Sequence, residues 1–156
     1  MKKRFRQYNK EVMKHFHNPH NYGKIKNPSA IGKIGNIRCG DVLKLYIKIN
    51  KEDVIEDIKF ETYGCAAAIA TSSIVTDLAK GKTVKEALKM TSRDILGSLG
   101  GLPPLKVHCS LLAVDALHEA IYDYLKKRGK EVPKNLEIKH KQLEKEKKEI
   151  EERYGK

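Results

Sequence analysis

The stretch DVLKLYIKINKEDVIEDIKFETYGC, residues 41–65, contains two runs in which apolar and polar residues alternate. Alternation with a period of two is typical of a β-strand with one buried face. The apolar positions of the two runs are Leu43, Leu45, Ile47 and Ile49, then Ile58 and Phe60. The polar residues NKED between the runs suit a hairpin turn, so the stretch predicts an antiparallel pair of strands. Residues 30–37 are predicted to add a third strand.

The period changes after Cys65, where apolar residues begin to recur every three to four positions. Such spacing is typical of one face of a helix. The first stripe comprises Ala67, Ala70, Ile74 and Leu78, and a later stripe comprises Ala113, Leu117, Ala120, Ile121 and Tyr124. They predict helices over 66–80 and 110–128. A further helix is predicted at 5–16, and Thr83 with Glu86 forms a capping pattern for a short one.

Two other segments have distinct compositions. The glycines and prolines of GSLGGLPPLK, residues 97–106, predict a loop. Residues 134–153 carry favourable Glu–Lys and Glu–Arg pairs four positions apart, with one apolar residue per heptad. One apolar residue per heptad is too few for a stable coiled-coil seam, so a solvated helix is predicted.

The chain of 156 residues has a net charge of +12, and this charge is unevenly distributed. Residues 1–41 carry +8, residues 42–125 carry −1 and residues 126–156 carry +5. A basic terminus binds nucleic acid in some proteins, but it also docks acidic protein surfaces or keeps a chain soluble. Because aromatic residues are not interleaved with the terminal charges, nucleic-acid binding is disfavoured as the main function.

The sequence has three cysteines, no long apolar run and no apolar segment after its basic N-terminus. Membrane spans and secretory signals contain such apolar segments, so neither is predicted. An odd number of cysteines argues against a disulfide framework and for reduced thiols. We therefore expect a cytoplasmic protein.

Cys39, Cys65 and Cys109 lie beside predicted turns and helix starts instead of on apolar stripes. A helix N-terminus stabilises a thiolate, which is both a nucleophile and a soft metal ligand. Asp41 and His108 are the nearest candidates for a fourth ligand. The spacing matches no compact zinc motif. These residues alone leave a shared metal site, a catalytic cysteine and buried structural cysteines as alternatives.

Several motifs together resemble the iron–sulfur cluster scaffold proteins of the IscU type and the N-terminal domain of NifU. The motifs are NPHNYG (18–23), CGDVLKLYI (39–47), YGCAAAIATSS (63–73) and LPPLKVHCSLLAVDAL (102–117). The likeness spans about residues 5–128. It implies an α+β fold, with a three-stranded antiparallel sheet packed by several helices and a charged C-terminal helical extension. The expected division is a scaffold domain at 1–129 and an extension at 130–156.

The resemblance also implies a function and a site. Cys39, Cys65 and Cys109 would ligate a transient 2Fe–2S cluster, with Asp41 and His108 as further ligands. Iron would be combined with sulfur that arrives as persulfide from a cysteine desulfurase. Cys109 is the expected persulfide acceptor and Cys39 the alternative. The finished cluster would pass to apo iron–sulfur proteins, so the chain is expected to be a carrier and not an enzyme.

A further partner is implied by the segment made of Leu102, Pro103, Pro104, Leu105 and Lys106. It resembles the LPPVK segment of the family, which a specialised Hsp70-type chaperone recognises. Two adjacent prolines also favour an extended, exposed segment of the kind that binding grooves accept.

A zinc-dependent sulfur acceptor of the related SufU type is the alternative function, with zinc at the same three cysteines. That branch usually has a long insertion before the third cysteine and no histidine directly ahead of it. The presence of His108 therefore favours the IscU type. The histidines of HFHNPH, residues 15–20, are interpreted as structural because the segment fits the family's N-terminal pattern.

Overall fold

The structure is a computed structural model that describes residues 8–36 and 41–154. Its strands are β1 (Ala30–Asn36), β2 (Asp41–Ile49) and β3 (Ile55–Thr62). Its α-helices are α1 (Lys10–His17), α2 (Ala66–Ala79), α3 (Val84–Leu88), α4 (Ser92–Leu99), α5 (His108–Lys127) and α6 (Lys134–Tyr154). A short 3-10 turn at Pro104–Lys106 precedes α5. No helix within the described ranges is both long and apolar enough to span a membrane.

The three strands form one antiparallel sheet in the order β1-β2-β3, as the alternating pattern and the family resemblance predicted. Leu45 in the central strand lies opposite Gly32 on one side and Phe60 on the other. Leu45, Ile47, Ile58 and Phe60 are fully buried. The apolar positions of the alternation therefore form the face of the sheet that packs against the helices.

Helix α5 crosses the sheet over β1 and β2, and Gly32 allows it to come very close. A Cβ atom on Gly32 would lie 2.0 Å from the carbonyl oxygen of Ala116 and 2.6 Å from the amide nitrogen of Ala120. Both atoms belong to the backbone of α5, so no side-chain rotation could make room. The absence of a side chain at Gly32 thus sets the distance between helix and sheet, and with it the position of the α5 N-terminus.

The segment 97–106 differs from the loop predicted for it. Helix α4 continues to Leu99, because Ile95 and Leu99 are fully buried and hold its last turn against the core. Gly100 then ends the helix with a positive φ of 73°. The prolines also do not make the whole segment extended, since the amide of Lys106 donates to the carbonyl oxygen of Pro103 at 2.8 Å within the 3-10 turn.

The C-terminal helix α6 is present where a helix was predicted, but its first half is docked and not fully solvated. Leu136 is 5% exposed and belongs to the main core. Lys139 forms an ion pair with Asp115 of α5, with 2.7 Å between the charged atoms. The heptad pattern contains only one apolar residue per repeat. It carries no information about acidic residues of α5, such as Asp115, that pair with basic residues of α6.

Candidate functional site

Cys65 occupies the N-cap of helix α2, with extended backbone angles of φ −74° and ψ 179°. The pKa of its thiol is lowered to about 5, chiefly by a hydrogen bond with Cys109. The backbone amides of Ala68 and Ala67 and the positive charge of Lys106 lower the pKa further, while burial opposes the shift. Unpaired amides at a helix N-terminus favour a thiolate. Cys65 is therefore held as a thiolate near neutral pH.

Cys109 lies in the first turn of α5 and is only 1% exposed. The helix predicted at 110–128 would have left Cys109 just outside it, but the helix begins two residues earlier than predicted, at His108. His108 Nε2 is 3.7 Å from the Cys109 sulfur. Two cysteines that are 44 positions apart in the chain, and one imidazole, thus meet where the N-termini of α2 and α5 converge.

Lys106 adds a positive charge to this group. The pKa of its ammonium is raised, first of all by the charge of Cys65 and also by Tyr8 and Cys109. The motif LPPLK assigned Lys106 only to a partner-binding segment. The signal in the sequence was that Lys106 lies only two residues before His108. The sequence did not predict the 3-10 turn, which places the Lys106 side chain beside Cys65.

Asp41 is the first residue of β2, and its Cα is paired with that of Asn36. Thr62 ends β3 beside this end of β2, where its hydroxyl donates to the carbonyl oxygen of Val42 at 2.7 Å. The backbone of Asp41 therefore lies at the end of the sheet from which the chain continues to Cys65. Cys39 lies outside the described residues.

Large apolar side chains are exposed close to these cysteines. Tyr63, two residues before Cys65, is 84% exposed, and Leu111, two residues after Cys109, is 50% exposed. Aromatic side chains are enriched at protein interfaces. Tyr63 is therefore a candidate contact for a protein that docks beside Cys65.

The donor set suits a soft metal. Thiolates and imidazole bind iron and zinc well, and iron–sulfur clusters are held mainly by cysteine thiolates. Cys65 and Cys109 offer two sulfur ligands in contact with each other, and His108 offers a nitrogen beside them. A metal or cluster bound here would take the place of the hydrogen bond between the two sulfur atoms.

The histidines near the N-terminus have a structural setting. His15 is buried, and its Nδ1 lies 2.7 Å from the Ser73 hydroxyl. The backbone amide of His20 donates to the same hydroxyl at 2.9 Å. These contacts fasten the NPHNYG segment to α2. The donor atoms of His15, His20 and Asp77 also lie within 4.8 Å of one another, so the structural interpretation of these histidines stays a prediction.

The low pKa of Cys65 leads to a prediction for the metal-free protein. Because only the thiolate reacts, we expect iodoacetamide to alkylate Cys65 at a rate that is constant above neutral pH and falls as the pH drops through about 5. An ordinary thiol would lose reactivity already below about pH 8.5. The measurement is the alkylation rate between pH 4 and 10, with the modified peptide identified by mass spectrometry.

Cys109→Ala serves as the comparison, because it removes the largest contribution to the low pKa. We expect the rate profile of Cys65 to move to higher pH in this variant. A wild-type profile with its midpoint near 8.5 would contradict the prediction.

Comparisons with known proteins agree with this geometry. The family model for the NifU-like N terminal domain matches residues 7–148. The chain belongs to this family. It is 56% identical over 123 residues to the iron-sulfur cluster assembly scaffold protein IscU 1 of Archaeoglobus fulgidus, which is 79% of this chain and 80% of that protein. It is 48% identical over 124 residues to the scaffold protein IscU of Escherichia coli K12, covering 78% and 96% of the two chains.

The fold of the NifU N-terminal family is confirmed by a solved structure. The N-terminal part of a nitrogen-fixing NifU-like protein from Brucella abortus superimposes with a TM-score of 0.64 at 22% identity. The match covers 78% of this chain and 96% of that one. The α+β architecture predicted from the resemblance is therefore correct.

Proposed function

We propose that this chain is a scaffold on which a 2Fe–2S cluster is assembled before transfer to apo iron–sulfur proteins. The observation that carries the proposal is the contact between the Cys65 and Cys109 thiols, with His108 and Lys106 beside them. The IscU relatives are named as iron–sulfur cluster assembly scaffold proteins, which supports the scaffold role. In this role the cluster is cargo, and the chain is a carrier and not a catalyst.

The proposed ligands are Cys39, Cys65 and Cys109, with Asp41 or His108 completing the set. Cys65 and Cys109 are already in contact, and His108 is adjacent to Cys109. Asp41 is the first residue of β2, and its backbone lies at the end of the sheet from which β3 leads to Cys65. A cluster shared between strand and helix termini would hold together segments that are distant in the sequence.

Sulfur is proposed to arrive by transfer from a cysteine desulfurase. The acceptor thiolate attacks the outer sulfur of the desulfurase persulfide, a new sulfur–sulfur bond forms as the old one breaks, and the desulfurase cysteine leaves as a thiolate. We assign Cys109 as the main acceptor and Cys39 as the alternative. Since Cys109 is 1% exposed, docking of the desulfurase must open the start of α5 for this assignment to hold.

A scaffold must also release its cargo, and Asp41 suits that requirement. A carboxylate is a hard ligand and binds a soft iron–sulfur cluster less well than a thiolate does. We expect Asp41→Ala to lengthen the lifetime of the bound cluster by at least severalfold. The measurement is the decay of the visible absorption of the reconstituted protein under air. Glu52→Ala is the control, because Glu52 is an exposed carboxylate in the turn at the opposite end of β2. Faster cluster loss in Asp41→Ala would contradict this role.

We further propose that the segment Leu102–Lys106 binds an Hsp70-type chaperone. Pro103 has the extended angles of φ −55° and ψ 143°, and Pro104 is exposed, whereas residues 104–106 form a 3-10 turn. A groove that accepts only extended peptides would have to unwind this turn. Unwinding would withdraw Lys106 from Cys65, so chaperone binding would weaken the site.

The deciding experiment is anaerobic reconstitution with iron, cysteine and a desulfurase, followed by transfer to an apo-ferredoxin. The scaffold function predicts a brown protein with visible charge-transfer absorption and a ferredoxin that gains its cluster. A colourless protein that keeps one tightly bound zinc and still accepts sulfur would instead support the zinc-dependent, SufU-like function. The IscU names of the relatives favour the first outcome.

We infer a cytoplasmic location and a division into a scaffold domain at 1–129 and an extension at 130–156. The location is supported by the chemistry of the site, since the thiols of Cys65 and Cys109 are in contact without forming a disulfide and would be open to oxidation in an oxidising compartment. The division is supported by the charged composition that begins near residue 130.

A further inference from the structure

The docked half of α6 brings a second group of metal-binding side chains together, away from the cysteines. Glu119 of α5 faces His140 and Glu144 of α6, and one donor atom from each of the three lies within 4.8 Å of the other two. His140 and Glu144 are four positions apart, so they lie on the same face of the helix. Glu119 completes the group from the opposing helix.

The histidine is held in place before any ligand binds. Its ring is stacked on Tyr122, with 3.8 Å between ring centroids and an interplanar angle of 11°. Its Nδ1 lies 2.8 Å and 3.1 Å from the two carboxylate oxygens of Glu119. A ligand that is already oriented loses little conformational entropy on binding. The ring therefore already presents a nitrogen to the Glu119 carboxylate, and metal binding would cost little further conformational entropy.

The charge around Glu119 favours a cation. The side chain of Glu119 is only 11% exposed. Burial raises the pKa of this carboxyl, and the nearby charges of Glu144 and Asp115 raise it further, although His140 opposes them. Lys139 is 2.7 Å from Asp115 and is engaged there. The group thus combines two carboxyl groups with one imidazole, a donor set that is suited to a cation.

We propose that Glu119, His140 and Glu144 form a binding site for a divalent transition metal of the zinc class, which fastens α6 to α5. Zinc bonds to such nitrogen and oxygen donors are about 2.0–2.2 Å long, so neighbouring donors of a tetrahedral site lie about 3.3–3.6 Å apart. The donor atoms of the three residues lie within 4.8 Å of one another, and His140 Nδ1 is 2.8 Å from a Glu119 oxygen. Small side-chain rotations complete the site, and water fills the remaining positions on the side of the exposed Glu144.

One nitrogen and two carboxylate oxygens suit zinc and its first-row neighbours better than a soft metal that requires thiolates. This site shares no ligand with the cysteine site, because its ligands lie where α5 and α6 pack against each other. Metal binding would select the docked state of α6, since the ligands are together only in that state.

The test uses the full-length metal-free protein and zinc as the probe. The first equivalent of zinc occupies the cysteine site, and a second equivalent is then titrated by calorimetry. We expect the second equivalent to bind, and its affinity to fall at least tenfold in His140→Gln and in Glu144→Gln. Glu146→Gln is the matched control, because Glu146 is exposed on the same helix but two positions from Glu144 and therefore on another face.

Two further measurements separate this site from others. Asp77→Asn alters a different group of possible metal ligands, in which Asp77 lies with His15 and His20, and is expected to leave the binding of the second zinc unaffected. Amide hydrogen exchange over residues 136–146 is expected to slow when the second zinc binds to wild type but not to His140→Gln. The proposal is overturned if no second zinc binds, if Asp77→Asn removes it, or if His140→Gln and Glu144→Gln bind it like wild type.

Discussion

Replacement of Gly32 by alanine is expected to destabilise the protein by at least about 3 kcal/mol, toward the upper end of the range for an overpacked core. The added Cβ would lie 2.0 Å from the carbonyl oxygen of Ala116 and 2.6 Å from the amide nitrogen of Ala120. Both are backbone atoms, so either α5 or β1 must shift. The measurement is the free energy of unfolding from urea denaturation of the metal-free protein.

Gly35→Ala provides a control on the same strand. A Cβ at Gly35 would meet only a methyl group of Val42, at an ordinary distance of 3.8 Å. We expect its free energy of unfolding to stay within about 1 kcal/mol of wild type, since surface substitutions of this kind have small effects. Equal effects of the two substitutions would show that contact with α5 does not set the requirement for glycine at position 32.

Replacement of Cys65 by serine is expected to reduce cluster formation more than tenfold in the reconstitution assay. Serine keeps the shape of the side chain but cannot supply a thiolate, and it removes the sulfur that contacts Cys109. The measurement is the visible absorption and the iron and sulfide content after anaerobic reconstitution. Lys106→Met is expected to reduce cluster formation by a smaller factor, because it removes a neighbouring charge but leaves the sulfur atoms of Cys65 and Cys109.

A variant that unfolds would also fail to form the cluster. Thermal unfolding of metal-free Cys65→Ser separates this effect from the loss of a ligand. Cys65 is partly exposed at a helix N-cap, where serine is itself a favourable residue. We therefore expect a melting temperature close to that of wild type. A Cys65→Ser protein that assembles as much cluster as wild type would contradict the assignment of Cys65 as a ligand.

Local patterns in the sequence were sufficient for the strands and most helices. The alternation around Leu45 and Phe60 predicted both the pairing of β2 with β3 and the buried face. The capping pattern at Thr83 was confirmed, since its hydroxyl accepts from the Glu86 amide at 3.1 Å. The prediction was wrong at residues 97–99, where burial of Leu99 outweighs the preference of glycine for a loop.

The motifs also predicted the family, which is confirmed, and supplied candidate site residues, but they did not show how those residues contact one another. The signal for Cys65 and Cys109 was their position next to predicted helix starts. The hydrogen bond between their sulfur atoms depends on how α2 and α5 pack, which no local pattern contains. Lys106 was missed as a neighbour of Cys65 for the same reason.

Residue order by itself determined the strand and helix periods, the capping signals and the motifs that identify the family, because each depends on neighbours within a few positions. Tertiary packing alone decided the approach of α5 to Gly32, the convergence of Cys65, Cys109 and Lys106, and the docking of α6 on α5. These are distances between atoms of residues far apart in the chain. They are set by how whole elements fill the core, and local composition does not encode them.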